Sequence, residues 1–132
     1  MGKIRVLLAD DHEPILSQVR AVLQDEFEIV GAVNNGRDAV REVQRLDPDV
    51  LVIDISMPVL GGLQAVTHLR TCSVKTKFVF LTVHDDEDYV AAAFSAGASA
   101  YVTKANLTTD LIPAIHKALE GGTFVSTAAS SS

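Results

Sequence analysis

Residues 49–58 read DVLVIDISMP, an apolar run followed at once by an aspartate and then by a proline turn. The four consecutive apolar residues, 50–53, are typical of a strand buried on both faces in the middle of a parallel sheet. Asp54 stands at the exit of that strand. A single carboxylate there is ordinarily a loop residue, so its meaning depends on which other side chains reach the same edge of the sheet.

The rest of the chain alternates between strand and helix patterns. Apolar runs at 4–9 and 78–81, with weaker ones at 29–33 and 100–102, predict four further strands. The segments between them have helical spacing of apolar residues, and the last helix ends at Gly121-Gly122. This alternation predicts an α/β fold with a doubly wound, five-stranded parallel sheet. The helix predicted at 88–96 contains three consecutive alanines, so we expect it to be lightly anchored.

Composition and charge exclude several classes of protein. A chain of 132 residues with 48% hydrophobic content is the size of one globular domain, and its net charge of -6 provides no basic surface for nucleic acid. No apolar run approaches the roughly 20 residues that span a bilayer, and the N-terminus lacks the apolar segment of a signal peptide. The single cysteine, Cys72, fits a reducing compartment. We therefore expect a cytoplasmic domain that binds neither membrane nor nucleic acid directly.

Polar side chains follow four of the five predicted strands. Each has an ordinary explanation alone, as a helix cap, a strand end or a solvated charge. The carboxyl ends of parallel strands meet at one edge, however, and ligands bind there in such sheets. The residues that this argument brings together are Asp10, Asp11, Asp54, Thr82 and Lys104.

Three carboxylates at one edge repel each other unless they share a cation. Mg²⁺ suits the cluster because it prefers oxygen ligands and is usually held by one or two carboxylates and a phosphate oxygen. A metal ion, an amine and a hydroxyl together favour phosphoryl transfer, in which positioning and charge neutralisation dominate. Asp54 is the best acceptor because a central strand holds it rigidly, whereas Asp10 and Asp11 would bind the metal.

Other chemistries at this edge fit the sequence less well. The turn after the first strand reads ADDHE and lacks the glycines of the nucleotide-binding loops. A D-x-D phosphatase would need a second aspartate two positions after Asp54, where Ser56 stands, and no G-x-S-x-G motif is present. A flavodoxin-like electron carrier would need a hydroxyl-rich loop after the first strand. Turnover of a diffusing substrate is therefore not indicated.

The ordered set LADDH (8–12), IDISMP (53–58), LTV (81–83) and YVTK (101–104) resembles the receiver domain of two-component response regulators over residues 3–122. The resemblance implies the flavodoxin-like (βα)5 fold and a phosphoryl group accepted by Asp54 from a sensor histidine kinase. It also implies Mg²⁺ held by Asp11, Asp54 and the backbone carbonyl of Ser56, with Asp10 acting mostly through water. Lys104 and Thr82 would bind the phosphoryl oxygens.

The resemblance also implies a switch. Tyr101 matches the family's aromatic residue whose ring turns inward when the threonine, here Thr82, moves toward the phosphoryl group. Phosphorylation adds charge and acceptor oxygens that would draw in the hydroxyl. The output face would then comprise the fourth helix, the fifth strand and the last helix. A static, half-buried strand residue is the alternative for Tyr101. Ser56 and His84 occupy positions that influence phosphoryl lifetime in the family.

Three further stretches, HDDE (84–87), AGASAY (96–101) and ALEGG (118–122), resemble the nitrate-regulator class, in which a helix-turn-helix domain follows the receiver. We therefore expect a receiver at 1–122 and a linker-like tail at 123–132 that leads to a DNA-binding domain outside this sequence. A phosphorylation-dependent homodimer is a further option. The alternative is a free-standing or degenerate receiver that serves as a protein-binding scaffold. Gly61-Gly62 departs from the family's usual acidic residue and glycine, which could loosen the loop beside Asp54.

Overall fold

The computed structural model describes residues 2–126, in which strands and helices alternate as the sequence pattern predicts. The strand bounds agree with the predicted runs to within one residue at each end, and β3 agrees at both ends. The strands are β1 (Arg5–Ala9), β2 (Glu28–Val33), β3 (Val50–Ile53), β4 (Lys77–Thr82), β5 (Ala100–Thr103) and β6 (Phe124–Val125). The helices are α1 (Glu13–Leu23), α2 (Gly36–Leu46), α3 (Gly62–Thr71), α4 (Glu87–Ala96) and α5 (Leu107–Leu119).

All strands pair in parallel, in the order β2-β1-β3-β4-β5-β6. The predicted doubly wound parallel sheet is confirmed, but the predicted number of five strands is wrong because β6 adds a sixth. Phe124 and Val125 pair with Ala100 and Tyr101 at the edge of β5, within the segment expected to be linker. This pairing covers β5 backbone groups that an edge strand would leave open. The remainder of the expected tail, 127–132, lies outside the described residues.

Two hydrophobic layers cover the two faces of the sheet. Successive residues of β3 point to opposite faces, so Val50 and Val52 pack with α1 and α5, whereas Leu51 and Ile53 pack with α2, α3 and α4. All four β3 side chains are buried. The strand after which Asp54 stands is therefore held from both sides, as its uninterrupted apolar sequence predicts.

Helix α4 is the least firmly buried of the helices that cover the sheet. Its buried residues are only Ala93 and Ala96, and both are small. Asp86 caps its first turn by accepting the N–H of Asp88. The expectation of a lightly anchored helix in this position agrees with this burial. Among residues 2–126, no helix has the length and apolarity needed to cross a membrane.

Candidate functional site

The centre of the site is an ammonium group between two buried carboxylates. Lys104 Nζ lies 2.9 Å from Asp10 Oδ2 and 3.1 Å from Asp54 Oδ2. Asp10 follows β1 and Asp54 follows β3, and the N–H of Asp54 donates to the Ala9 carbonyl at 3.0 Å. The side chains of all three are nearly enclosed, with 6% of Lys104, 5% of Asp10 and 4% of Asp54 exposed. The fold thus brings together three residues that are distant in sequence.

The four oxygens of these carboxylates have different partners. Lys104 donates a hydrogen bond to Asp54 Oδ2, while its contact with Asp10 Oδ2 has the distance of an ion pair without hydrogen-bond geometry. Asp10 Oδ1 accepts the backbone N–H of His12 at 2.9 Å. Asp54 Oδ1 is buried and has no hydrogen-bond partner among residues 2–126. One oxygen of Asp54 therefore accepts a hydrogen bond from Lys104, and the other is available to a ligand.

Two opposing effects set the charge of Lys104. Burial opposes the charged form, but the close contacts with the negatively charged carboxylates of Asp10 and Asp54 outweigh it and raise the pKa of Lys104 above its usual value. The side chain is consequently an ammonium group at neutral pH. It supplies a fixed positive charge beside Asp54.

A set of oxygen and nitrogen ligands surrounds this centre. Asp10, Asp11, His12 and Asp54 each offer a ligand atom, and these atoms lie within 4.8 Å of one another. The three carboxylates and the unpartnered Oδ1 of Asp54 suit a hard divalent ion such as Mg²⁺. The sequence argument did not name His12 as a ligand; its Nδ1 lies 3.1 Å from Asp10 and 3.2 Å from Asp11. The only sequence signal for it is its position directly after the two aspartates.

Thr82 lies at the same edge of the sheet, at the end of β4. Its register partner on β5 is Thr103, the residue before Lys104. The side chain is fully buried, and its Oγ1 accepts the N–H of His84 at 3.4 Å, a long and weak bond. This hydrogen bond therefore opposes a movement of the hydroxyl toward a new acceptor only weakly.

Tyr101 is fully buried, not half-buried, and its ring packs in the core beneath α3 and α4. The phenol donates to the backbone carbonyl of His84 at 2.7 Å. Burial, followed by the nearby charge of Asp85, raises the pKa of Tyr101 well above the ordinary range of tyrosine. The ring thus occupies the inward position that the aromatic switch of the family would take.

His84 lies in the loop after β4 and contacts several residues of the site and one residue of α4. Its Nε2 lies 3.1 Å from Ser56 Oγ, and its ring stacks on Tyr89 of α4 at a centroid distance of 4.1 Å. Its backbone binds both Thr82 and Tyr101. The family resemblance identified Ser56 and His84 as positions that influence phosphoryl lifetime, and the structure shows that their side chains contact each other. A periodicity argument could not find this pair because both residues lie in loops.

Gly62 fits tightly against the backbone of Asp54. A Cβ at this position would lie 2.0 Å from the Asp54 carbonyl oxygen, and the Gly62 N–H donates to the Ile55 carbonyl at 2.7 Å. The second glycine of the pair therefore allows α3 to begin directly against the residue that carries the site. At this glycine the loop is closely packed, not loosened.

Comparison with known proteins places these features in a family. The sequence model of the "Response regulator receiver domain" family matches residues 6–116. The chain is 34% identical over 126 residues to "Transcriptional regulatory protein DegU" of Brevibacillus brevis, covering 94% of this chain and 53% of that protein. It is 33% identical over 124 residues to "Response regulator UvrY" of Escherichia coli (strain K12), covering 92% of this chain and 57% of that protein. The chain thus spans a little over half the length of these relatives.

A solved structure shows the same fold along nearly the whole chain. It is a "two-component response regulator, LuxR family, from Aurantimonas sp. SI85-9A1", with a TM-score of 0.90 and 29% sequence identity. The match covers 96% of this chain and 91% of that one.

Proposed function

The chain belongs to the response regulator receiver domain family, and from that premise we propose that Asp54 accepts a phosphoryl group from a sensor histidine kinase. The observation that carries the proposal is the position of Lys104, whose ammonium lies 3.1 Å from one oxygen of Asp54 while the other oxygen has no partner among the described residues. That arrangement leaves a nucleophilic oxygen beside a fixed positive charge.

In the proposed reaction, an oxygen of Asp54 attacks the phosphorus atom of a phosphohistidine. The bond between phosphorus and the histidine nitrogen breaks, and the imidazole leaves with the electron pair and takes up a proton from solvent. Lys104 pairs with the negatively charged phosphoryl oxygens as the phosphoryl group is transferred to the carboxylate. Because the product remains on the protein, we regard the domain as a signalling switch and not as an enzyme with a released product.

The residues that we propose as Mg²⁺ ligands are Asp11, Asp54 and the backbone carbonyl of Ser56, with Asp10 acting mostly through water. Both oxygens of Asp10 already have neighbours, one in Lys104 and the other in the backbone N–H of His12, which agrees with an indirect role. Asp11 is exposed and open to a hydrated ion. A bound Mg²⁺ would neutralise negative charge on the transferred group.

We propose that His84 connects the phosphoryl group to the switch. The Thr82 hydroxyl would donate to a charged phosphoryl oxygen, and that hydrogen bond would be stronger than the 3.4 Å bond in which Thr82 Oγ1 now accepts the N–H of His84. The backbone of His84 binds both Thr82 and Tyr101, so a shift of Thr82 changes the loop that leads into α4. Since the fully buried residues of α4 are two alanines, the face formed by α4, β5 and α5 is the proposed output surface.

For the complete protein, we propose control of transcription by an attached helix-turn-helix domain, in a cytoplasmic two-component system. The names of the two relatives, a transcriptional regulatory protein and a response regulator, support this, as does the share of their length that the chain spans. Residues 1–122 would be the receiver, and the segment from 123 would lead to the output domain, with β6 as its first contact with the sheet. A homodimer formed on phosphorylation is compatible with the output face. The reading frame beyond Ser132 tests the proposed domain.

Intact-mass spectrometry tests the acceptor. We expect the folded chain, incubated with acetyl phosphate and Mg²⁺, to gain one phosphoryl group, and Asp54→Asn to gain none. Asp25→Asn, which changes an exposed aspartate away from the site, should label like the original chain. Labelling of Asp54→Asn at the original rate would overturn the assignment. A folded chain that does not label at all would favour the alternative, a receiver that serves only as a protein-binding scaffold.

A further inference from the structure

A serine beyond the last strand is bonded to β5. Ser126 is fully buried, and its backbone N–H donates to the Tyr101 carbonyl at 2.9 Å. Its side-chain Oγ accepts the backbone N–H of Thr103 at 3.1 Å. In a continued parallel ladder, a backbone carbonyl would accept that N–H. The hydroxyl of Ser126 therefore completes the pairing of β5 at the point where β6 has ended.

Thr103 is the residue directly before Lys104 and is held on two sides. Ser126 binds its backbone, and Asn106 Nδ2 donates to its Oγ1 at 3.1 Å. Residues Lys104–Asn106 form the single 3-10 turn that joins β5 to α5. The backbone from which the Lys104 side chain extends thus begins at a residue that Ser126 fixes.

We propose that Ser126 is a positioning residue for phosphoryl acceptance, which acts through Thr103 on the ammonium group of Lys104; the inference rests on the function proposed above for Asp54 and Lys104. A lysine side chain is a flexible stem with a point charge, so its position at Asp10 and Asp54 depends on where its backbone is held. Loss of the hydroxyl would leave a buried N–H on Thr103 without an acceptor. The end of β5 would then shift to find a new partner.

This role extends the site beyond the part of the chain that defines the family. The match to the receiver family ends at residue 116, and Ser126 lies ten positions later. The segment that follows the receiver therefore contributes to the geometry at Asp54. A change in that segment would reach the phosphoryl site through the hydrogen bond between Ser126 Oγ and the backbone N–H of Thr103.

The first test compares initial rates of labelling by acetyl phosphate and Mg²⁺, measured by intact mass. We expect Ser126→Ala to slow labelling by about tenfold, since misplacing a reacting group by 1 Å can cost on the order of 100-fold. Ser126→Cys fills a similar space with a weaker acceptor and should also label slowly. Ser99→Ala, at the opposite end of the β5–β6 pair, is the matched control and should label at the original rate. Urea unfolding shows that each variant is folded at the start.

The second test separates positioning from a general loss of structure. If Ser126 acts through Lys104, then Ser126→Ala should have little further effect in a Lys104→Met background. Where Lys104→Met labels too slowly to measure, the dissociation constant of beryllofluoride, followed by the amide resonance of Thr82, serves for all four members of the cycle. An equal effect of Ser126→Ala in both backgrounds would overturn the proposal.

The outcomes also distinguish this inference from the proposed function. If the original chain labels on Asp54 and Ser126→Ala labels at the same rate, the function stands and the positioning role is wrong. If the folded original chain does not label, the function itself fails and the inference fails with it. Slow labelling confined to the Ser126 variants, with Ser99→Ala unaffected, supports both.

Discussion

Replacing Lys104 with methionine tests the charge balance on which the site depends. The substitution keeps a long apolar stem but removes the ammonium group that lies within 3.1 Å of two buried carboxylates. The carboxylates then face each other without a cation. Removing one partner of a buried pair typically destabilises a protein by about 3–5 kcal/mol, because the remaining charge is uncompensated.

Protonation of one of the two carboxyl groups limits this destabilisation, and the limit depends on pH. At pH 7, protonating a carboxyl group with an ordinary pKa of about 3.9 costs about 4 kcal/mol, and at pH 5 it costs about 1.5 kcal/mol. We therefore expect Lys104→Met to lower the free energy of unfolding by about 2–4 kcal/mol at pH 7 in EDTA, and by about 1.5 kcal/mol or less at pH 5. Mg²⁺ should stabilise the variant more than the original chain, since it supplies the missing positive charge.

Urea unfolding followed by circular dichroism measures these differences, as the chain has no tryptophan for fluorescence. Lys117→Met is the control: this side chain is 57% exposed, 4.0 Å from Glu120, and we expect its loss to change stability by no more than about 0.5 kcal/mol. The reasoning is refuted if Lys104→Met is as stable as the control at pH 7. It is also refuted if its destabilisation is the same at both pH values and unaffected by Mg²⁺.

Two further predictions concern alkaline pH and the glycine beside the site. The raised pKa values of Tyr101 and Lys104 mean that the folded chain keeps protons that the unfolded chain releases, so the stability from these two groups should be complete below about pH 10 and fall above it. Urea midpoints measured from pH 9 to 11 should fall less steeply in Tyr101→Phe than in the original chain. Equal slopes would contradict the contribution of Tyr101 to this loss of stability. Gly62→Ala places a methyl group 2.0 Å from the Asp54 carbonyl oxygen and should destabilise the chain by more than about 2 kcal/mol. The control, Gly122→Ala, has its nearest contacts 3.5 Å away and should destabilise the chain by less than about 1 kcal/mol. Similar thermal midpoints for the two variants would contradict the prediction, because they would show that the loop beside Asp54 can move aside.

The sequence was most informative where one physical rule dominated. The apolar run 50–53 predicts a buried central strand, and β3 has the same bounds because every side chain in it is buried between two helical layers. The parallel topology then implies that Asp10, Asp54 and Lys104 approach one another, since each follows a strand that ends at the same edge. The close contacts among these three in the structure follow from topology more than from any local signal.

The contacts that the sequence did not reveal depend on packing between loops and segment ends. Phe124 and Val125 are too short a run to be recognised as a strand, and they pair only because the edge of β5 is open. Ser126 lies at the start of a stretch rich in serine and alanine, whose composition is typical of a linker. The contact between Ser56 and His84 joins two loops 28 residues apart. Neither hydrophobic periodicity nor a turn motif predicts a contact between residues so far apart in sequence.

A crystal structure of the chain with Mg²⁺ and beryllofluoride would test the central claim most directly. We predict beryllofluoride on Asp54, with one fluorine within hydrogen-bond distance of Lys104 Nζ, another within reach of Thr82 Oγ1, and the metal ion on Asp11 and Asp54. A structure with the beryllium elsewhere, or with Lys104 turned away from residue 54 toward solvent, would contradict the account.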